Sequence, residues 1–477
     1  MLIKFYCCLL GLFSLMGLYA QQPPNIVVFI ADDAGMEYGC YGDTAAHTPN
    51  IDALASQGVR FTKAFLTAPQ CSPSRTSMLS GQFAHTIGTE DLHTGIDSTT
   101  VLVPDYLKEA GYFSGLMLKG HIGKYGMAQF DWYDEGFWPD WVRDNTWHDK
   151  ALGNFNTFLD KAGDRPFFLW VGFVDPHRPY RIEDGQGGRA PAVNEPGQVS
   201  VPPYLVDSPK TREDLADYYN EISRMDGQIG DMMKALESRG LRENTIVLYL
   251  SDNGMPFPRS KGTLYDSGLQ TPMIWSWPGH FPEGATYEGL SSTIDLAPTL
   301  LDYAGLERPE QMYGQSLRPV LEKPNAGGRK YVFGERNWHG ADEHMRSIRT
   351  DSFLLILNSY IALPHGTPTD LSASPSWFAL REAAQLTPAQ EWLFKAPRVK
   401  VEFYDVINDP FQINNLSGKE AYLEQAKVLS KELVEWMKAT GDHPPHERRR
   451  NDVVDRVSGF PVQGDRAFFE GYWYEKD

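Results

Sequence analysis

Cys71-Ser72-Pro73-Ser74-Arg75 sets a cysteine, a proline and an arginine at a spacing that suits a modified nucleophile better than a structural thiol. Pro73 fits the first turn of a helix, which leaves residue 71 beside the helix's unbonded amides, where a developing anion is stabilised. A buried free thiol and a Cys40–Cys71 disulfide are the plainer alternatives. Asp32-Asp33 and Asp252-Asn253 add three carboxylates and an amide oxygen. Taken singly, each pair is an ordinary turn or cap sequence. Converging, they form a hard oxygen set that favours Ca²⁺ or Mg²⁺ over zinc. Lys63, Arg75, Lys119, Lys124, Arg178, Arg181, Arg259 and Lys261 are the cations available to meet an anionic substrate.

These residues need a frame, and the pattern is that of a layered α/β fold in which short apolar runs alternate with amphipathic helices. Asn25 to Ala31 reads as a strand buried on both faces and ends at Asp32-Asp33. Tyr112 to Leu118, Phe167 to Val174, Thr245 to Leu250 and Met273 to Trp277 read likewise, the fourth ending just before Asp252. Open α/β sheets place their sites at such strand ends. Leu215, Tyr218, Ile222, Met225, Ile229, Met232 and Leu236 fall at helical spacing and predict a long core helix. The Gly- and Pro-rich stretch from Ile182 to Pro209 is long for a connection and reads as an insertion bordering the site. Beyond Lys323 the pattern changes: strands at Tyr331 to Gly334, Phe353 to Leu357 and Val401 to Asp405 precede a helix near Tyr422 to Thr440. The expected division is a leader over 1–20, a catalytic domain over 21–340 and a smaller α+β domain over 341–477.

With 477 residues, 42% apolar and 13% aromatic, the chain supports packed cores in two domains. The formal charge of −18 argues against nucleic acid and anionic membranes as partners, and an anionic substrate would need a local basic pocket. Lys4 followed by an apolar run from Phe5 to Leu18 reads as a secretory leader cleaved before Gln21, too short for stable membrane insertion. The expected location is therefore periplasmic or secreted. Cys7 and Cys8 leave with the leader, so Cys40 and Cys71 remain, too few for a disulfide framework.

The pentapeptide with Thr76-Ser77-Met78-Leu79-Ser80-Gly81 resembles the signature of type I sulfatases, in which a maturation enzyme oxidises the cysteine to formylglycine. The resemblance implies an alkaline-phosphatase-like α/β fold: a large domain with a central mixed sheet flanked by helices, plus the smaller C-terminal α+β domain. It also implies one divalent ion, usually Ca²⁺, held by Asp32, Asp33, Asp252 and Asn253 beside residue 71. Carried over, Arg75 positions the aldehyde hydrate, Lys124 and Lys261 bind sulfate oxygens, and His177 is a sulfate-binding group or proton donor. One departure stands out. The family continues Gly-Lys-Trp-His where this chain has Gly123-Lys124-Tyr125-Gly126, so a histidine is missing at 126 and His121 is the candidate substitute.

Ser223-Arg224-Met225-Asp226, His344-Met345-Arg346-Ser347 and Phe403-Tyr404-Asp405 resemble the sulfamidase branch, which removes N-sulfate from glucosamine in heparan chains. Marine bacterial sulfatases of algal polysaccharides such as ulvan are similar over the same segments. The expected function is hydrolysis of sulfate esters on a sulfated polysaccharide, with an N-sulfate hydrolase as the alternative. A two-zinc phosphoesterase and a non-catalytic sulfate-binding protein are the remaining options. Arg178, Arg259, Trp338 and His339 are the expected sugar contacts at the pocket mouth, with Trp338 as a platform for a sugar ring.

Overall fold

The computed structural model describes residues 23–92, 94–134, 147–180, 194–339, 342–362 and 364–444. The expected leader segment, Arg181 and positions 182–193 of the 182–209 stretch lie outside them. The first sheet has nine strands: β1 (Asn25–Ala31), β2 (Val59–Phe65), β3 (Phe113–Leu118), β4 (Trp132–Tyr133), β5 (Phe167–Gly172), β6 (Thr245–Ser251), β7 (Gln270–Ser276), β8 (Ala285–Tyr287) and β9 (Ser291–Ser292). Their order is β4-β3-β5-β1-β6-β7-β2-β8, with β9 also on β2. β1 runs parallel to β5 and β6, whereas β7 is antiparallel to β6 and β2, so the sheet is mixed.

β1 shows why its sequence is apolar throughout. Ile26, Val28 and Ile30 enter one core while Val27, Phe29 and Ala31 enter the other, because successive side chains leave opposite faces of a strand. The second core is closed by the 30-residue helix Pro209–Ser238, whose predicted stripe from Leu215 to Leu236 is buried in it. Ser208 caps that helix by accepting from the Thr211 amide, and Pro209 opens it.

The second sheet is antiparallel, with β10 (Val332–Trp338), β11 (Asp342–Arg349), β12 (Phe353–Asn358) and β13 (Val401–Asp405) in sequence order. The helix Leu423–Ala439 lays Leu429, Leu433 and Trp436 against Ile348, Leu355 and Phe403. The expected division after residue 340 falls between β10 and β11, inside one hairpin. Phe83 and Ile294, from the larger part, complete that same core.

A buried polar chain crosses the same junction. His85 Nδ1 lies 2.7 Å from Glu335 Oε2, and Asn337 links Glu335 to Arg346, whose guanidinium also binds Asp442 at 2.5 and 2.6 Å. Burial alone raises the Glu335 carboxyl, but His85 and Arg346 outweigh it and hold it down to about 2. Burial likewise opposes charge on His85, and Glu335 overcomes it, so the imidazole titrates above its usual range. The Glu335 contribution is present above the ordinary carboxyl value of 4.5 and is lost as pH falls towards about 2. The His85 contribution is complete below 6.5 and is lost as pH rises through the raised value. Glu335→Gln should therefore destabilise the protein by roughly 3 kcal/mol, since it breaks a buried pair. The gap in melting temperature from wild type should be widest between pH 4.5 and 6.5 and should narrow on both sides. A gap independent of pH would show that the pair carries no charge.

Candidate active site

The helix Cys71–Ser80 is buried along its whole length, and Pro73 sits in its first turn, where a missing N–H costs no hydrogen bond. Gln70 precedes it in extended conformation and ties to the second sheet by donating Nε2–H to the Trp338 carbonyl. Residue 71 is thereby presented to the C-terminal edge of the large sheet. Backbone bonds hold that edge together: Asp32 N–H donates to Asp175 O (3.1 Å), Asp252 N–H to Ala31 O (3.2 Å) and Lys119 N–H to Gly172 O (2.7 Å).

Three oxygens converge on Cys71 Sγ: Asp32 Oδ1 at 3.2 Å, Asn253 Oδ1 at 3.5 Å and Asp33 Oδ1 at 3.9 Å. Asp252 borders them, accepting from the Asp33 amide (3.2 Å) and from Arg75 Nε (2.7 Å). Asp32, Asp33, Cys71 and His177 each place a ligand-type atom within 4.8 Å of the others. This donor set, mainly carboxylate and amide oxygen, fits one hard divalent cation beside residue 71. Cys40 and Cys71 are both free thiols, so the disulfide alternative falls away.

Each buried carboxylate has its own cation. Lys119 Nζ contacts Asp32, Arg75 binds Asp252, and Lys261 Nζ lies 2.7 Å from Asp33 Oδ2. Burial pushes the Asp32 carboxyl up, yet Lys119, His177 and Arg75 bring it below its usual range. Burial and Asp32 together leave Asp252 raised. Lys261 is shared with Asp370 Oδ2 at 2.8 Å. Burial works against ionisation of Asp370, but Lys261, His177 and His339 hold its carboxyl far below the ordinary value.

His177 is oriented from its far side. Its Nδ1 lies 2.5 Å from the Arg178 carbonyl, so Nδ1–H donates there and Nε2 faces Asp33 at 3.8 Å and Asp370 at 3.9 Å. The loop that carries it is braced by Asp175, whose carboxylate binds Arg224 of the long helix at 2.8 and 2.5 Å. Arg224 and Asp226 thus explain the Ser-Arg-Met-Asp segment: Asp226 accepts the Asn50 and Ile51 amides at the start of another helix.

Four of the expected residues lie elsewhere than the sequence suggested. Lys124 is exposed, with its ammonium 5.4 Å from the Tyr125 ring centroid, and it is Lys119 that contacts Asp32 in the buried cluster. The reason is where β3 stops: Lys119 is the first residue past the strand and drops into the cluster, whereas Lys124 belongs to the next short helix, Gly123–Met127. His121 follows Lys119 by two residues, is buried, and has a left-handed backbone with φ 54°. Arg178 is committed to a bidentate pair with Asp214 at 2.6 and 2.8 Å and lies over Tyr180. Arg259 is equally committed, to the carbonyls of Phe411 and Gln412 and to the Tyr265 ring. Trp338 is 1% exposed and offers no platform to solvent. His339 stays near the centre through Asp370.

Lys119 was named in the sequence only as one cation among eight, and nothing in the sequence pointed to Asp370. Asp33, Leu118, His121 and Arg259 are non-glycine residues with positive φ, a strained conformation that concentrates at functional sites. Lys119→Ala should lower kcat/KM for a small aryl sulfate by at least about 100-fold, because it removes a preorganised cation from a dry site. Lys124→Ala should change it by no more than a few-fold. The opposite ranking in steady-state assays would return the role to Lys124.

A family model described as Sulfatase matches residues 24–306, and one described as N-sulphoglucosamine sulphohydrolase, C-terminal, matches 259–376. Human N-sulphoglucosamine sulphohydrolase is 31% identical over 476 residues, covering 91% of this chain and 94% of that protein. An ulvan-active sulfatase of Formosa agariphila is 26% identical, covering 93% and 80%. In fold, the chain is similar to a solved complex with its substrate D-glucosamine-2-N,6-O-disulfate (TM-score 0.66, 22% identity, 89% of this chain and 100% of that one). The phosphonate monoester hydrolase of Agrobacterium radiobacter is comparable (TM-score 0.67, 18% identity, 87% and 96%). A family match over most of the large sheet, joined to a 31% identical relative aligned almost end to end, means that this chain belongs to the sulfatase family of hydrolases.

Proposed function

We propose that the protein is an exported, formylglycine-dependent sulfatase that hydrolyses sulfate esters on fragments of a sulfated polysaccharide. The observation that carries this is residue 71, at the start of a buried helix, ringed by three oxygen donors and, just outside them, by Arg75, Lys119 and Lys261. Burial, then the Asp32 carboxylate, push the Cys71 thiol well above its ordinary value, so the encoded side chain offers little thiolate. As its hydrate, an aldehyde at this position supplies two hydroxyls on one carbon, one to attack sulfur and one whose deprotonation expels sulfate. Asp32, Asp33, Asp252 and Asn253 would hold a divalent ion, which would supply positive charge beside residue 71. Lys119, Lys261 and Arg75 add fixed cations that need no rearrangement as charge develops. His177, with Nδ1 anchored on a carbonyl, directs Nε2 inward as the proton donor to the leaving group.

A phosphoesterase reading receives less support, since the donors at residue 71 make one oxygen-rich site rather than two nitrogen-rich ones. N-sulfate hydrolysis on glucosamine is the second reading, supported by the relative of that name and by the C-terminal family match. The leader sequence supports export.

Active preparations made with a maturation enzyme should show the peptide containing residue 71 in its aldehyde mass, and Cys71→Ala should have no turnover. Sulfate release should then be measured on O-sulfated algal oligosaccharides and on N-sulfated heparan oligosaccharides. Release from terminal N-sulfoglucosamine alone would transfer the assignment to the second reading, and full activity with an unmodified thiol would sink the mechanism.

His177→Ala should cost about 100-fold or more on sugar sulfates, whose leaving oxygen is basic, and far less on an activated aryl sulfate. Equal losses on both would make His177 a binding group instead.

A further inference from the structure

Asp370 belongs to two places at once. Its Oδ2 touches the reaction centre, 2.8 Å from Lys261 Nζ and 3.9 Å from His177 Nε2, and its side chain, 20% exposed, also lines a cavity of about 390 Å³. That volume lies in the range of pockets that take small ligands, roughly 300–1,000 Å³. Arg178 and Pro179, which follow His177 in the chain, form part of the same wall. Cavity and centre therefore share one residue and adjoin at a second.

Among the described residues that line the cavity, Arg178 is the only cation, and it is spent. Its two terminal nitrogens bind Asp214 at 2.6 and 2.8 Å, its Nε–H donates to the Pro256 carbonyl at 3.0 Å, and its guanidinium lies over the Tyr180 and Phe257 rings. Asp214 is equally occupied, because its Oδ2 also accepts from Ser376 N–H at 3.1 Å and Oγ–H at 2.6 Å. The pair makes a fixed, neutral wall. Asp217, one turn further along the helix Pro209–Ser238, is different: it lines the cavity half-buried and has no ion-pair partner among the described residues. Burial, then Asp214 and Glu213, push its carboxyl up to about 6 while Arg178 opposes them, so at neutral pH it is mainly ionised. The Tyr180 hydroxyl, in the same wall, is buried and has no hydrogen-bond partner among the described residues. A buried polar group in that state costs free energy until a partner arrives.

We infer that this cavity receives the unsulfated, hydroxyl-bearing side of the sugar whose sulfate is cleaved, with ring hydroxyls donating to Asp217 and Asp370, and that it excludes a second sulfate or a carboxylate there. The inference rests on the sulfated-saccharide reading above and adds a direction of specificity to it. A sulfate ester or a carboxylate brings acceptors and negative charge to a wall with no spare cation, whereas hydroxyls bring the donors that its carboxylates lack. His177 fixes the position: a leaving oxygen at its Nε2 has Asp370 Oδ2 3.9 Å from that nitrogen, within reach of the next substituent on the same ring.

The test measures kcat/KM of wild type, Asp217→Asn and Asp217→Lys on a monosulfated disaccharide and on the same disaccharide with a second sulfate on the neighbouring carbon. Each value is divided by that for an aryl sulfate without hydroxyls. Asp217 is the residue to change, because Asp370 is tied to Lys261 and His177. Wild type should prefer the monosulfate by about tenfold or more, as expected of an unrelieved like-charge contact. Asp217→Asn should cut that preference about fivefold, chiefly by raising the value for the disulfate, and Asp217→Lys should reverse it. Added salt should narrow the wild-type preference, because screening weakens the repulsion. No wild-type preference for the monosulfate, or the same preference in all three proteins, overturns the inference and leaves the sulfatase reading intact. Turnover of the aryl sulfate with none of either sugar overturns both.

Discussion

Three carboxylates buried at the ends of neighbouring strands are the constraint around which this structure is arranged. Asp32, Asp33 and Asp252 are each fully buried, and isolated charges in such places cost several kcal/mol apiece. The protein answers with a one-to-one set of cations, Lys119, Lys261 and Arg75. The same cations that make the cluster tolerable are those that would meet a sulfate group. Stability and chemistry therefore draw on one network, and removing any member leaves a charge stranded as well as a site impaired.

Such a network works only if its parts are held rigidly, and the cations come from distant segments. Lys119 follows β3, Arg75 is on the helix after residue 71, and Lys261 lies in the loop beyond β6. Asp370, between β12 and β13, reaches back to share Lys261, so the second sheet is part of the site and not an appendage. The ion pairs Arg224–Asp175, Arg178–Asp214 and His85–Glu335 brace the loops around it. Backbone strain at Asp33, Leu118 and His121 is tolerated because those braces and the strand-edge hydrogen bonds over-determine the geometry.

The fold by itself is not diagnostic, since a sugar-sulfate complex and a phosphonate monoester hydrolase superpose about equally well on this chain. The chemistry has to be argued from local features: a cysteine at the helix start, oxygen donors around it and lysines beside them.

The sequence by itself determined β1 and its two-sided burial, the stripe of the long helix, the helix opened at residue 71, and the carboxylate pairs after strands. These follow from periods of 2 and 3.6 residues and from neighbours in the chain, which are local properties. It did not determine which lysine enters the cluster, because that depends on β3 ending at Leu118, and strand ends are decided by pairing with β5. Nor did it show that Arg178, Arg259 and Trp338 are buried, because a long side chain's direction depends on partners such as Asp214, Phe411 and Tyr265. Asp370 was illegible for the same reason. Its role exists through Lys261, more than a hundred residues away in the chain, and through His177 and His339, and only packing of the two sheets brings these groups together.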